Sequence, residues 1–166
     1  MIREIKYAIM LISLVLAQVL IFNQIQFSGY INPYVYILFI LLLPLSSPPY
    51  ATMILAFVLG FIVDVFSNSL GVHAAASVFI AAIRPFLVRV ISIRDEDKSD
   101  YPGLQQYGFR WFLGYTSLMV FLHHLILFYV EVFSFNHFFL TLGRVLFSSL
   151  FSIFIIVLSQ FLVFRK

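Results

Sequence analysis

The sequence predicts an all-α integral membrane protein built from six transmembrane helices, and three observations predict it. The chain is 63% hydrophobic and only 10% charged, against about 45–50% apolar and about 25% charged in soluble domains. Its mean hydropathy is +1.06. Its apolar residues fall into six stretches, at residues 7–27, 31–47, 50–66, 72–93, 109–133 and 138–164, and one helical crossing of a bilayer takes roughly 20 residues. A soluble domain of 166 residues has no interior large enough for so much apolar surface, so the solvent is lipid.

The first stretch follows the charged start MIREIK. That layout has the look of a signal peptide, but no small-residue A-x-A cleavage pattern follows and further apolar stretches come after it. It reads as an uncleaved first span. The second stretch is short, with Pro33 near its start and Pro44 near its end, and Pro48 and Pro49 mark a tight connection into the third. In the fourth, Arg84 and Pro85 interrupt the apolar run. Arg84 is expected to snorkel to the cytoplasmic headgroups, with the last turns lying at the interface and Arg89 and Arg94 touching anionic lipid. Residues 94–108 carry four acids against two bases and read as a solvated cytoplasmic loop before the fifth and sixth spans. No internal repeat, low-complexity tract or separate soluble domain interrupts the single polytopic unit 1–166.

Orientation follows from lysine and arginine. With the N-terminus inside, nine of the ten basic residues (Arg3, Lys6, Arg84, Arg89, Arg94, Lys98, Arg110, Arg165 and Lys166) belong to the cytoplasmic side and only Arg144 lies toward the outside. Were the short second stretch not to cross, the basic residues from Arg84 to Arg110 would move outside while Arg3 and Lys6 stayed in. Six crossings with both termini cytoplasmic is the consistent solution. The basic residues are spread over helix ends and form no patch, so the formal charge of +3 does not point to nucleic acid. With no cysteine in the chain, disulfides, thiolate nucleophiles and cysteine-ligated metals are excluded.

One acid stands inside an apolar run. Asp64, in LGFIVDVFSNSLGVHAAA (residues 59–76), lies one turn after Gly60 near the outer end of the third span, and residues four apart share a helix face. Glycine there admits a neighbouring helix at close range, as small residues do in membranes. Gly71, His73 and Ala74 follow, so the turn brings a carboxylate and an imidazole to one membrane level. Three readings fit this hairpin: a hydrogen-bonded small-residue corner, a partner-binding surface at the same corner, and a proton or ligand relay. Arg144 is a possible ion partner for Asp64. The small-residue faces, Ala56 with Gly60 on the third span and Ala74, Ala75, Ala81 and Ala82 on the fourth, are expected to be docking surfaces, in part external.

Enzyme signatures are missing. The chain holds no G-x-S-x-G, no P-loop, no Gly-rich dinucleotide motif and no pair of carboxylates within one span. His123 and His124 share the fifth span with Glu131, but no H-E-x-x-H or similar close spacing accompanies them, so metal binding is not expected. Hydrogen-bonded, partly buried histidines are. No cofactor is expected.

The stretch 59–76 resembles the signature region of the bacterial rod shape-determining protein MreD family, in which a G-x-x-x-D helix end leads through a small polar turn to L-G-x-H/x-A. Gly60, Asp64, the Ser67–Asn68–Ser69 turn, Leu70, Gly71, His73 and Ala74 hold those positions here. The resemblance implies a non-enzymatic inner-membrane component of the cell-elongation machinery for peptidoglycan synthesis. Its partners would be MreC, the cytoskeletal MreB, and a RodA-type glycosyltransferase with its penicillin-binding transpeptidase, in a multi-pass arrangement with both termini cytoplasmic. It also implies a fold like that of the S-components of energy-coupling-factor transporters, and so a rival function, capture of a small molecule by a membrane subunit. S-components commonly carry A-x-x-x-A on an early helix, whereas Ala8 and Ala17 here are nine apart and do not match.

Overall fold

The computed structural model describes residues 2–25, 31–91, 99–133 and 137–163. Arg94, Lys98, Arg165 and Lys166 from the charge count, and residues 94–98 of the expected loop, lie outside the described residues. Among those described the chain is helical, with no strand. The elements are α1 (Ile2–Leu20), a single 3-10 turn (Phe22–Gln24), α2 (Leu38–Leu42), α3 (Pro49–Ser67), α4 (Val72–Ile91), the one-turn α5 (Leu104–Tyr107), α6 (Phe109–Val132) and α7 (Phe138–Val163).

Five stretches are helical, long and apolar enough to cross a membrane: Glu4–Gln24, Pro49–Ser67, Val72–Ile91, Phe109–Val132 and Phe138–Leu162. This is a multi-pass membrane protein. The helix α4 is central. It pairs with α3 as a tight hairpin and with α6 on its other side, α7 lies against α6, and α1 rests at the edge against α3. Large apolar side chains such as Ile9, Leu16, Phe61, Phe147 and Phe154 face outward, as lipid allows.

The second apolar stretch does not form the expected helix. Only Leu38–Leu42 is helical, yet every residue from Tyr34 to Leu43 is buried. Pro33 disfavours helical geometry at Asn32 and can donate no hydrogen bond, so the backbone before Leu38 stays irregular. Irregular backbone at membrane depth is tolerated only where protein satisfies its polar groups, and side chains do so here. Gln18 of α1, fully buried, uses its whole amide. Its Oε1 accepts the N–H groups of Val35 (2.8 Å) and Tyr36 (3.3 Å), and its Nε2 donates to the Pro33 carbonyl (3.0 Å) and to Asn23 Oδ1 (2.8 Å). Two serines of α7 take the N–H groups nearer the start: Ser148 Oγ that of Asn32 (3.1 Å) and Ser152 Oγ that of Tyr34 (2.9 Å).

At the far end of the stretch Arg84 closes the account. The expectation that it snorkels outward fails, because its side chain points into the bundle and only 4% of the residue is exposed. Its Nε donates to the Tyr115 hydroxyl (2.9 Å) and its Nη atoms donate to the carbonyls of Leu41, Leu43 and Pro44. Those of Leu41 and Leu43 lie at the end of the short helix α2, which gives them no partner within it, and that of Pro44 also accepts the Ser47 N–H (3.3 Å). Pro85, next to it, removes one backbone donor without ending α4, which continues to Ile91. Beyond Arg84, the Leu45 N–H donates to the Asp100 carbonyl (2.9 Å), and the Asp100 carboxylate takes the Ser46 N–H (2.7 Å) and hydroxyl (2.8 Å). In the same loop, burial pushes the Tyr101 phenol up to about 12, beneath Lys6 at 5.2 Å from its ring centre.

Candidate functional site

The corner between α3 and α4 gathers six of the seven residues singled out from the sequence. α3 ends on Asn68 in the left-handed conformation (φ 53°), whose N–H bonds the Asp64 carbonyl. The chain then turns through Gly71 at φ +82°, a region glycine enters without the cost of a Cβ. The start of α4 is thereby folded back onto the last turn of α3. No Cβ fits at Gly60: it would stand 2.6 Å from both the Ala74 Cα and the His73 carbonyl oxygen. Glycine lets the two backbones touch at this level, and Ala56, one turn earlier, is fully buried in the same hairpin.

Asp64 projects into that contact, 3% exposed. Its Oδ1 accepts the His73 N–H (3.0 Å) and its Oδ2 the Ala74 N–H (2.9 Å). These are free N–H groups of the first turn of α4, which helix geometry leaves without intrahelical partners and whose dipole favours a negative charge. An aspartate from the neighbouring helix thus caps α4, in place of a residue at its own N-cap. Oδ1 also takes the Ser69 hydroxyl (2.5 Å) and the His73 ring at Nδ1 (3.0 Å). A carboxylate only accepts, so Nδ1 carries a proton. The Nε2 of His73 is buried without a partner. The hairpin of Gly60, Asp64, Gly71, His73 and Ala74 is therefore a folded corner in which one carboxylate meets four donors.

Two expectations are corrected here. Arg144 does not reach Asp64. It donates to Glu131 (3.4 Å) and lies over the Phe128 ring at 4.6 Å, because α7 meets α6 and α3 is not its neighbour. The small-residue face is not an external docking surface at Ala56, Gly60, Ala74 or Ala81, which are buried in the bundle, and only Ala75 and Ala82 are exposed.

Below the corner lies a layer of rings that the sequence reading missed. The Tyr34 ring meets His73 (centroids 5.2 Å) and His124 (5.4 Å), and the Tyr36 hydroxyl bonds His123 Nε2 at 2.8 Å. His124 is fully satisfied: its Nδ1–H donates to the Val120 carbonyl (2.8 Å) and its Nε2 accepts from Ser152 Oγ (3.1 Å). Glu131 is engaged with Arg144, and among the described residues no three metal-ligating side chains converge. The available signal was polarity at odds with its surroundings: Gln18 within the apolar first span, and Ser148 and Ser152, four apart, in the last.

Above the corner, toward the end of α1 and the ends of α3 and α6, a half-open cavity of about 370 Å³ is lined by Asn23, Tyr34, Phe66, Ser69, His73 and Glu131, among others. Asn23 closes one wall by donating to Ser67 Oγ (2.9 Å). Comparison of the chain with family models, curated proteins and solved structures returns no match.

Proposed function

We propose that this chain is a non-enzymatic scaffold of the bacterial inner membrane, of the MreD kind, which helps maintain rod shape by holding MreC and the associated wall synthases in one complex. The observation that carries the reading is the use made of the residues behind the resemblance. Gly60, Asp64, Gly71, His73 and Ala74 are the positions that mark the family, and here the Asp64 carboxylate is committed to capping α4 and ordering its turn. A group so engaged is a poor general base, and a rigid corner is what a binding protein requires. The six-crossing, S-component-like arrangement with both termini cytoplasmic belongs to the same proposal. Its support is that the stretch from Asn32 to Ser46, buried in its middle, touches Ser148, Ser152 and His124 at one end and Arg84 and Asp100 at the other.

The chain has no native cysteine, so topology can be read by single-cysteine labelling in intact cells. A thiol at Asn68 is expected to react with an impermeant reagent from outside and one at Ser99 is not. Labelling at Ser99 overturns the six crossings. For the function, the tagged chain is expected to bring down MreC when extracted in mild detergent. Recovery of a transporter's energising subunits in the absence of MreC refutes the scaffold.

A second reading, capture of a small molecule from the outer side, is favoured by one observation, the cavity beside His73.

A further inference from the structure

We propose that a groove between α1 and the stretch that follows α2 holds one hydrocarbon tail of a bilayer phospholipid, which ties the first half of α1 to the bundle. The inference goes beyond the scaffold and capture readings and needs only that the chain spans a membrane.

The helix α1 is held at its second half and stands off at its first. Val15 and Gln18 are buried, whereas Ile5, Ile9 and Ile12 are each more than half exposed. The reason lies in the neighbouring stretch. Helix α2 stops at Leu42 and Leu43 takes an extended conformation (ψ 148°), so α2 does not continue along that half of α1. What is left is a groove of about 470 Å³. One wall runs along α1 from Glu4 through Ala8 to Ile12, positions four apart that share a face. Phe39, Leu43 and Ser47, with Leu55 of α3, make the other.

Surroundings, width and polarity choose the occupant. Both α1 and α3 lie in stretches long and apolar enough to cross a membrane, and Ala8, Ile12 and Leu55 are exposed, so the groove opens sideways onto lipid. An unfilled gap there would deprive its walls of dispersion contacts where hydrocarbon is the solvent. Residues 4–12 cover about 12 Å of helix axis, so a groove of about 470 Å³ has a mean cross-section of about 40 Å², whereas a helix about 10–12 Å across takes about 80–110 Å². Extended hydrocarbon chains, whose carbons pack at about 3.5–4.0 Å, enter a slot of that width. A helix can only lie over it. The polar side chains of the lining, Glu4, Tyr7 and Ser47, stand at one end, and among the described residues the rest of the lining is apolar. The bonds from Ser46 to Asp100 and the Lys6–Tyr101 contact belong to that same end, which places it at the membrane surface. A slot polar at the surface and apolar below it matches an amphiphile lying in one leaflet.

The test is native mass spectrometry of the full chain, released from detergent micelles that contain palmitoyl-oleoyl phosphatidylethanolamine, or phosphatidylglycerol with the same tails. One lipid per chain is expected to survive activation that strips the loosely held ones, to a similar extent with either headgroup. Ala8→Phe and Leu55→Trp fill the groove from opposite walls, at exposed positions that leave the bundle interior untouched. Each is expected to cut the one-lipid species tenfold, and if one fails to fold the other decides. Ile9→Phe, on the same helix but outside the groove, is expected to leave that species unchanged. Absence of a retained lipid, or retention confined to one headgroup, overturns the proposal. So does equal loss in Ile9→Phe, or unaltered retention in the groove variants. A dimer that Ala8→Phe splits and Ile9→Phe does not assigns the groove to a second copy, and a co-purified protein that behaves likewise assigns it to a partner helix. Either result overturns the lipid tail.

Discussion

Arg84→Met is expected to produce a large loss of stability. Methionine keeps the apolar stem but removes every donor that Arg84 gives to the end of α2. The Tyr115 hydroxyl still serves the Leu41 carbonyl at 3.2 Å and the Ser47 N–H the Pro44 carbonyl at 3.3 Å, whereas the carbonyl of Leu43 is left buried without its donor. Each such orphan costs about 1–3 kcal/mol. Removing a buried cation returns part of that, since desolvating a charge is itself unfavourable. The net loss is expected at about 1–3 kcal/mol, a sizeable share of the roughly 5–15 kcal/mol that holds a typical domain together. Unfolding in a detergent titration, followed by tryptophan fluorescence at Trp111, is the measurement. Arg84→Lys keeps one charge and loses the fork that reaches three carbonyls and a hydroxyl at once, so it should fall between. A methionine variant as stable as the parent would mean that α2 ends without help from Arg84.

At Asp64, leucine is expected to be at least as damaging, with asparagine intermediate. Leucine strands the N–H groups of His73 and Ala74 at the start of α4, again at about 1–3 kcal/mol each. The Ser69 hydroxyl has an alternative, because His73 Nδ1 lies 3.0 Å away and the ring can change tautomer to receive it. Asparagine retains one oxygen, which can take the donors now on Oδ1. Its NH2 group then confronts the Ala74 N–H, so one donor is orphaned. All four partners of Asp64 are donors, so the donating half of an asparagine amide has no acceptor to meet. Thermal unfolding in detergent should rank the parent above Asn and Asn above Leu. Asparagine equal to leucine would show that the negative charge at the helix start matters more than the bonds.

The five long helices were legible because lipid imposes one requirement, an unbroken apolar run with its backbone bonded internally, and hydropathy measures the run directly. The corner at Asp64 was legible in part. A carboxylate four residues after a glycine, followed by a glycine turn and a histidine, already implied close helices and a shared membrane level. That the carboxylate caps the next helix depends on how α4 folds back, which no spacing within α3 encodes. The stretch at residues 31–47 was misread as a helix because its composition is the same whether the backbone bonds to itself or to others. The difference lies in Gln18, Arg84, Ser148 and Ser152, residues on three other helices whose pairing with it exists only once the bundle is assembled. Arg84 was misread for a related reason. In sequence, an arginine beside a proline near a span's inner half looks like a route to the headgroups, and nothing local announces unpaired carbonyls waiting inside.

The side-chain support of that stretch has a consequence for how the protein is made. Asn32 and Tyr34 depend on serines 116 and 118 residues further along the chain, which are synthesised well after them. Until α7 arrives, a membrane-inserted stretch would expose bare N–H groups to hydrocarbon, which is among the costliest arrangements a nascent chain can adopt. In the six-crossing arrangement proposed above, the second crossing therefore cannot be completed in the order of translation. It has to wait at the interface or beside the insertion machinery, and enter the bundle when α7 closes around it. Birth order and membrane order then differ, and a ribosome stalled before Ser148 would carry a chain with its first half not yet fixed across the bilayer.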